Sequence, residues 1–460
     1  MGLDKISERV SMVIFEGGEY TTEIEKVVAT VRKSIVLDLI ELASEVREIE
    51  EIILVTNYPD LVSPAQKLGA QVDLDDTSIP FDFGKRLCAL INIHELDNVL
   101  YFGGAAAPLI SKEDLTRMAL ALKEHKNTVI ANSFESADFI AFTPASAINL
   151  IDLPSIDNPL AQLLNKQAGL RMYMLESSLS TSFDIDTPID VMVLGVQPHT
   201  GVRTRRAIRN LDFNLSVLEE AKKILAGPDK EVFIYGRVNP ETIAYITRNS
   251  KCRLRIFMEE RSMRSLGRIE RQEVVSTLGL LLEKSTLQEF FQLISRLCHC
   301  AFIDTRVLFS HLKKEVSKSD RFYSDLGYSD LIKDPFIKEF TYHAANANIP
   351  IICGGHALVN GGVWALLEAA NLEKLVQINK DKIHRVVVEL GSPICGVTID
   401  SLVNYLNLNI KVVAITDSFS TRIDPLPNQE IQAGQALYVL GSDKQVNDLM
   451  DYVSPTPALE

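Results

Sequence analysis

SMVIFEGG, residues 11–18, is an apolar run that ends in a pair of glycines, and it decides the fold of the first part of the chain. A stretch with apolar residues at helical spacing follows at 26–50, and a second strand-like run, EIILVTNYPD, occupies 51–60. NVLYFGGAAAP at 98–108 continues the rhythm. Because strand, helix and strand in this order place the two strands parallel, residues 1–195 are predicted to form a doubly wound α/β sheet.

Two further regions continue the chain. Residues 196–375 contain four strand-like runs separated by helical stretches, which predicts a second, Rossmann-like α/β domain. Residues 384–455 are dense in short strands and turns and end in a helical stretch, which predicts a small α+β module. Several domains are also expected from the length of 460 residues, because single cores rarely grow beyond ~300 residues. The fold class is therefore multidomain α/β.

Composition narrows the range of partners and the expected location. The formal net charge of −14 disfavours nucleic acid and anionic membranes, because both reward clustered lysine and arginine. The longest apolar runs, such as 349–354, are far shorter than the ~20 residues that a membrane span needs. The start of the chain, MGLDKISERV, lacks the apolar segment of a signal peptide. We expect a cytoplasmic protein that binds a small molecule and no nucleic acid.

The stretch DIDTPID, residues 184–190, has three aspartates within seven positions. Asp184 and Asp186 can hold a divalent metal, because carboxylate oxygens are the ligands that hard cations prefer. The same stretch can end a strand and start a helix, since aspartate is favoured at helix caps and Pro188 suits a first turn. Both interpretations stay open from the sequence.

Residues 1–195 resemble the nucleotidyltransferases of the nucleotide-diphospho-sugar transferase fold, a class that includes the molybdenum-cofactor guanylyltransferases. Glu-Gly-Gly at 16–18 stands where this family has its glycine-rich nucleotide loop, and EIILVTN matches the second strand. GGAAAPLIS at 103–111 stands at the family's Gly-Asp metal motif, and DIDTPID at 184–190 matches its late Asp-x-Asp-Thr-Pro segment.

This resemblance implies that Gly17, Gly18 and Lys26 bind a nucleotide, and that Asp184 and Asp186 bind Mg²⁺. The chain departs from the family pattern in two places. The first loop, EGGEYTTEIEK, has four acids before its first base, and carboxylates repel polyphosphate. GGAAAP has no aspartate, so half of the expected metal ligands are missing.

Residues 384–455 resemble the TrkA C-terminal module, the ligand-binding half of potassium-conductance regulators. Gly-Ser-Pro at 391–393, Gly396, the strand VVAI at 412–415 and the later run LYVLGS carry the likeness. Gln435 stands where the family often has aspartate. The resemblance implies a homodimer, a nucleotide or cyclic dinucleotide such as cyclic di-AMP as ligand, and a membrane cation transporter as partner.

Residues 196–375 resemble no family that the motifs identify, but two residues there are candidates for catalysis. Asp304 follows an apolar run, at the strand end where such sheets place functional residues, and the alternative is an ion pair. His356 follows a strand and titrates near neutrality, and the alternative is a buried structural histidine. Paired glycines beside it allow close approach of a ligand or close packing of a helix. These ligand-binding candidates are Gly354, Gly355, Gly361 and Gly362.

The stretch 257–272 places Arg261, Arg264, Arg268 and Arg271 at spacings of three and four. This pattern predicts a helix with one basic face, which either grips an anion or pairs with glutamates on a solvated surface. We favour the solvated helix, because ion pairs of this kind are common on protein surfaces.

Three hypotheses for function follow from the sequence. The first is a cytosolic ligand-sensing regulatory protein, with a link to potassium or cation transport. The second is a Mg²⁺-dependent nucleotidyltransferase, or another phosphate-handling enzyme, that its C-terminal module regulates. The third places catalysis in residues 196–375, with Asp304 and His356 as its centre.

Overall fold

The structure is a computed structural model, and it contains three β-sheets in chain order. The first sheet has seven strands and lies in the first half of the chain, and two four-stranded sheets follow it. The described residues are 9–134, 137–175, 177–197, 200–378, 383–389, 391–405, 410–416, 421–423 and 425–453.

The seven-stranded sheet has the order β3-β2-β1-β4-β6-β5-β7. β1 is buried along its whole length and pairs in parallel with β2 and β4, as the apolar run at 11–18 predicts. The doubly wound fold is confirmed with one difference, because β6 runs antiparallel to both of its neighbours. The strands are β1 Val10–Glu16, β2 Glu51–Thr56, β3 Gln71–Leu74, β4 Asn98–Gly103, β5 Thr128–Ala131, β6 Phe139–Thr143 and β7 Arg171–Met174.

Helices cover this sheet and then lead away from it. The helix predicted within 26–50 begins and ends earlier, and its buried positions recur at helical spacing. A capping box between Ser111 and Asp114 starts the fourth helix. The helices are α1 Glu23–Ser44, α2 Pro59–Lys67, α3 Phe83–Ile93, α4 Lys112–Glu124, α5 Leu160–Lys166, α6 Leu179–Ser182 and α7 Pro188–Gly195, with a 3₁₀ helix at Ala145–Leu150.

The second sheet is fully parallel, in the order β11-β10-β8-β9, as expected for a Rossmann-like region. Its strands are β8 Glu231–Gly236, β9 Arg253–Met258, β10 Cys300–Asp304 and β11 Ile351–Gly354. The helices of this region are α8 Val202–Arg209, α9 Ser216–Leu225, α10 Pro240–Asn249, α11 Thr277–Leu282, α12 Leu287–Leu297, α13 Thr305–His311, α14 Lys318–Asp325, α15 Pro335–Ala345 and α16 Val363–Ile378, with a 3₁₀ helix at Ser329–Leu331 and a π turn at Leu358–Gly362.

The third sheet is antiparallel, in the order β12-β15-β13-β14, and it has its own hydrophobic core. This arrangement agrees with the predicted small α+β module. Its elements are β12 Ile383–Val387, α17 Ile399–Tyr405, β13 Lys411–Thr416, β14 Thr421–Ile423, β15 Ala436–Leu440 and α18 Asp443–Val453.

One hydrophobic core joins the first two regions of the chain. It combines Val31 and Ile35 of α1 with the apolar residues of α7 from 189 to 194 and with buried residues of β8, β10 and α16. Helix α1 also packs against α8 and α14. The segment 184–190 therefore lies where the two regions meet. The boundaries at 195, 375 and 384 stay predictions.

Within the described ranges, every helix is too short or too polar to cross a membrane.

Candidate functional site

The glycine loop after β1 is held by a neighbouring strand end. The backbone N–H of Gly18 donates to Asn57 Oδ1 at 3.0 Å, and Asn57 Nδ2 donates to the carbonyl of Gly18 at 3.2 Å. The side chain of Lys26 is exposed on the first turn of α1, and no described residue forms a hydrogen bond or ion pair with its ammonium. The predicted nucleotide-binding residues Gly17, Gly18 and Lys26 are all exposed, and their role stays a prediction.

Glu16, the last residue of β1, points into the protein and pairs with Arg32 of α1. The guanidinium donates to both carboxylate oxygens, at 3.1 and 2.9 Å, and a third bond reaches the carbonyl of Ile185 at 2.7 Å. Glu16 is 2% exposed. Burial by itself lowers the pKa of Arg32, but the Glu16 carboxylate overrides this and holds the pKa above its ordinary value. The carboxylate at the end of the first strand is therefore already neutralised by an arginine of the same chain.

The loop at 103–108 contributes backbone and small side chains to this region. A Cβ added to Gly104 would overlap the Glu16 carboxylate and would lie 2.9 Å from Val36 Cγ2, so the glycine makes room for the Glu16–Arg32 pair. The carbonyl of Ala105 accepts from the N–H of Ile185 at 3.2 Å. Because this loop supplies no carboxylate, it cannot complete the two-part Mg²⁺ site that the family resemblance implies.

The aspartates of DIDTPID, residues 184–190, have two different structural roles. Thr187 and Asp190 form a capping box at the start of α7, and Asp190 Oδ2 accepts from the N–H and the hydroxyl of Thr187, both at 2.8 Å. Pro188 occupies the first helical position. Asp190 is therefore a cap residue. The other two aspartates, Asp184 and Asp186, face His356 of the second region.

Asp184, Asp186 and His356 form a cluster of metal-ligating groups, with one ligand atom from each within 4.8 Å of the others. His356 Nε2 lies 3.7 Å from Asp184 Oδ2, and Nδ1 lies 3.7 Å from Asp186 Oδ2. The side chain of Asp184 is 13% exposed, whereas those of Asp186 and His356 are 49% and 38% exposed. We call these three residues the Asp-His cluster. It opens to solvent on the side of Asp186.

The ionisation of the cluster is set by burial and by its neighbours. Burial raises the pKa of Asp184 well above its usual range, and the charges of Asp186, Asp138 and Asp190 raise it further. Burial and the nearby Arg237 guanidinium lower the pKa of His356. The imidazole is therefore neutral near pH 7, which is the form that binds a metal ion.

The glycine pairs serve close packing at this junction. A Cβ on Gly361 would lie 2.6 Å from Phe183 Cα, and a Cβ on Gly354 would lie 2.9 Å from Ile189 Cγ2. Gly362 faces the carbonyl of Ala357 at 3.2 Å. Only Gly355 has room, with the methyl of Thr187 and Nε of Arg306 at 3.8 and 3.9 Å. Close approach at Gly354 and Gly361 brings His356 to the aspartates.

Asp304 is fully buried and engaged by arginine. Arg237 donates to it from Nε at 2.6 Å and from Nη2 at 3.1 Å, and the N–H of Arg306 donates at 3.2 Å to the same carboxylate. Burial alone raises the pKa of Asp304, but the Arg237 guanidinium overrides it and holds the pKa below its usual value. Arg306 in turn pairs with the buried Asp325 at 2.5 and 2.6 Å. The paired carboxylate fits the ion-pair alternative, while a catalytic role for Asp304 stays a prediction.

The helix predicted at 257–272 is absent, and this prediction is wrong. After β9 the chain runs through successive turns at 261–272, with positive φ at Glu260, Ser262 and Gln272. The predicted pairing with glutamates does occur. Arg268 makes two 2.9 Å bonds to Glu260, and Arg271 bonds to Glu273. Left-handed turn residues broke the helical pattern that the arginine spacing suggested.

Sequence reasoning missed the arginines that neutralise buried acids. Arg237 directly follows β8, at the carboxyl edge of a parallel sheet, and that position was a usable signal. Arg32 gave no signal, because it stands within a long helix and its partner lies 16 residues away.

The C-terminal module has a polar surface groove of about 410 Å³. Gln435, which replaces the family's frequent aspartate, accepts from the N–H of Gln432 at 2.9 Å and so shapes the turn before β15. The groove is lined by Arg422, Asn428, Gln429, Glu430, Gln432 and Gln435.

Comparison with known proteins supports the resemblance at the C-terminus. Residues 383–454 match the family model of the TrkA-C domain. This region is similar to TrkA-C domains, and below we use the name TrkA-C domain for residues 383–454. No match was found among curated proteins.

Solved structures resemble separate parts of the chain. A cytidylyltransferase from Leptospira borgpetersenii has 15% identity and a TM-score of 0.34, and the match covers 45% of this chain and 99% of that one. A 4-diphosphocytidyl-2C-methyl-D-erythritol synthase from Anaerococcus prevotii has 20% identity and a TM-score of 0.29, covering 40% and 94%. The RCK_C domain dimer of S. agalactiae BusR in complex with c-di-AMP has 20% identity and a TM-score of 0.15, covering 15% and 93%.

Proposed function

We propose that the chain is a ligand-sensing regulatory protein whose TrkA-C domain binds a small nucleotide-type ligand, with cyclic di-AMP as the first candidate. The observation that carries this proposal is the match of residues 383–454 to the TrkA-C family model. Domains of this family bind small ligands between two protomers, so the proposal includes a homodimer. A link to potassium or other cation transport belongs to the same proposal and is supported by the family resemblance.

The polar groove of the module supports the ligand class. Its volume of about 410 Å³ lies in the range of small-molecule sites, and Arg422 supplies a guanidinium that suits a phosphate. The Glu16–Arg32 pair also favours regulation over nucleotidyl transfer. It places a buried carboxylate after β1, where the resemblance requires positive charge beside a triphosphate.

Thermal unfolding of the full-length chain tests the proposal. We expect cyclic di-AMP at about 100 times its dissociation constant to stabilise the native state by ~2.7 kcal/mol, which is a shift of a few degrees. Arg422→Ala should weaken the binding at least tenfold. Arg253→Ala, an exposed arginine of the second sheet, should leave it unchanged.

Two results would count against this function. An unchanged midpoint with cyclic di-AMP would remove the ligand, and sedimentation showing only monomer would remove the dimer. A shift that requires a nucleoside triphosphate together with Mg²⁺ would instead favour the enzyme hypothesis.

A further inference from the structure

The Asp-His cluster joins two regions that are distant in sequence. Asp184 and Asp186 precede α7, and His356 follows β11, about 170 residues later. The packing of Gly361 against the backbone of Phe183 holds the two segments together. The cluster is thus formed by the fold, and the loop at 103–108 contributes nothing to it.

The distances within the cluster leave space for an ion. Both nitrogen-to-oxygen distances are 3.7 Å, which exceeds the ~2.7–3.2 Å of an N–H···O hydrogen bond. Two ligand atoms at ~2.1 Å from a tetrahedral metal lie about 3.4 Å apart. The two 3.7 Å distances start from opposite ring nitrogens, and a single ion binds only one of them. One ligand atom from each residue lies within 4.8 Å of the others, so the three side chains need to approach one another only slightly to bind one ion.

The carboxylate of Asp184 supplies independent support. Its side chain is 13% exposed, and among the described residues its one ion-pair partner is the His356 ring. The charges that act on it are those of the carboxylates of Asp186, Asp138 and Asp190, and its own backbone N–H is the hydrogen-bond donor beside it. A largely buried carboxylate without a permanently charged partner is costly. By contrast, Glu16 and Asp304 each receive two bonds from an arginine. Among the described residues, no arginine or lysine forms an ion pair with Asp184 in the same way, and a bound cation would supply that positive charge.

The donor set indicates which metals suit the site. An imidazole nitrogen with two carboxylates suits Zn²⁺, Mn²⁺, Co²⁺ or Ni²⁺, whereas Mg²⁺ prefers oxygen ligands alone. Three protein ligands also leave a coordination position free for water or for a ligand. Because Asp186 and His356 are partly exposed, the ion can enter directly from solvent.

We propose that Asp184, Asp186 and His356 bind one borderline divalent transition-metal ion, with Zn²⁺ as the first candidate, and that this ion fastens the first region of the chain to the second. The proposal is independent of the proposed function, because the groove of the TrkA-C domain shares no residue with the cluster. Cyclic di-AMP binding and metal binding can fail separately.

Metal titration of the tag-free, full-length chain after chelator treatment tests the proposal. We expect one Zn²⁺ per chain by equilibrium dialysis, a rise of a few degrees in the thermal midpoint, and weaker binding of Mg²⁺. His356→Gln and Asp184→Asn should each weaken Zn²⁺ binding at least tenfold. Co²⁺ should give a visible absorption band that both variants lose.

His343→Gln is the matched control. His343 Nε2 lies 3.9 Å from Glu339 Oε1 on α15, so this variant also removes a histidine beside a carboxylate. It should bind Zn²⁺ as the wild-type chain does. The proposal is overturned if the wild-type chain binds none of these metals, or if His356→Gln binds them as tightly as wild type. Mg²⁺ binding by the wild-type chain that is as tight as its Zn²⁺ binding would also overturn it, because the imidazole would then contribute nothing.

Discussion

The end of β1 and the Asp-His cluster both bear acidic residues, but they treat their charge differently. At the end of β1, Glu16 is buried and receives two hydrogen bonds from Arg32. In the cluster, Asp184 is also buried, but its ion-pair partner among the described residues is an imidazole at 3.7 Å. The first carboxylate is paired with an arginine of the chain, whereas among the described residues no arginine or lysine pairs with the second.

This difference indicates which of the two acidic sites can still bind a positively charged ligand. A buried acid that an arginine satisfies stabilises the fold and offers nothing to a nucleotide, because its charge is already neutralised. A buried acid without a cation attracts one. The family resemblance assigns the nucleotide to Gly17, Gly18 and Lys26, which follow a carboxylate that an arginine already neutralises. It assigns the metal to Asp184 and Asp186, which among the described residues form no ion pair with an arginine or lysine.

The largest expected effect on stability comes from removing Arg32 from its pair with Glu16. Arg32→Met leaves the buried Glu16 carboxylate without its partner and removes the bond to the carbonyl of Ile185. Breaking one side of a buried pair costs about 3–5 kcal/mol, so urea denaturation should show a loss of that size.

Lys123→Met is the control for this change. Lys123 pairs with Glu50 at 3.3 Å on the surface, where such a pair contributes at most about 1 kcal/mol. Equal losses in the free energy of unfolding for the two variants would show that the Glu16–Arg32 pair contributes no more than a surface ion pair.

A second effect comes from separating the two regions at the cluster. The Cβ of Gly361→Ala would lie 2.6 Å from Phe183 Cα, so the backbone must shift. We expect a loss of about 1–3 kcal/mol in the free energy of unfolding, measured by urea denaturation, with weaker Zn²⁺ binding.

Gly355→Ala provides the comparison within the same loop. Its nearest neighbour would be the methyl of Thr187 at 3.8 Å, so stability should stay within about 0.5 kcal/mol of wild type. If Gly361→Ala were equally neutral, close packing would not be what positions His356.

A smaller effect of opposite sign is expected at Asp184. In metal-free protein, Asp184→Asn removes a buried carboxylate that lacks a cation, and it should raise the free energy of unfolding by about 1 kcal/mol. Urea denaturation in the presence of a chelator measures this change.

Asp304→Asn should act in the opposite direction, because it weakens the partner of Arg237 inside the protein. If both substitutions destabilised the chain equally, Asp184 would have a partner after all, and the contrast between the two positions would disappear.

The last prediction concerns chemical reactivity and not stability. It compares a buried thiol with an exposed one. Burial raises the pKa of Cys353 to about 12, so this thiol stays protonated at pH 8. Cys395 in the TrkA-C domain is exposed. Iodoacetamide at pH 8 should alkylate Cys395 first, and peptide mass spectrometry should find Cys353 unmodified in the native protein. Equal labelling would show that the second sheet opens.

Much of the fold could be predicted from the sequence. Apolar runs such as 11–18 and 51–60 became parallel neighbours, because burial and strand pairing follow local periodicity. The TrkA-C domain was also readable, since its glycines and apolar strands stand within 72 consecutive matched residues, 383–454. The reversed direction of β6 could not be predicted, because the pairing of a strand depends on neighbours that the local pattern does not specify.

The sequence by itself determined the three sheets, the candidate status of DIDTPID and of His356, and the lack of an aspartate in GGAAAP. Only the tertiary structure decided that Asp190 caps α7 while Asp184 and Asp186 face His356. The reason is physical. Backbone periodicity and capping act over a few residues, whereas the state of a buried charge depends on which side chain packing brings within a few ångströms of it.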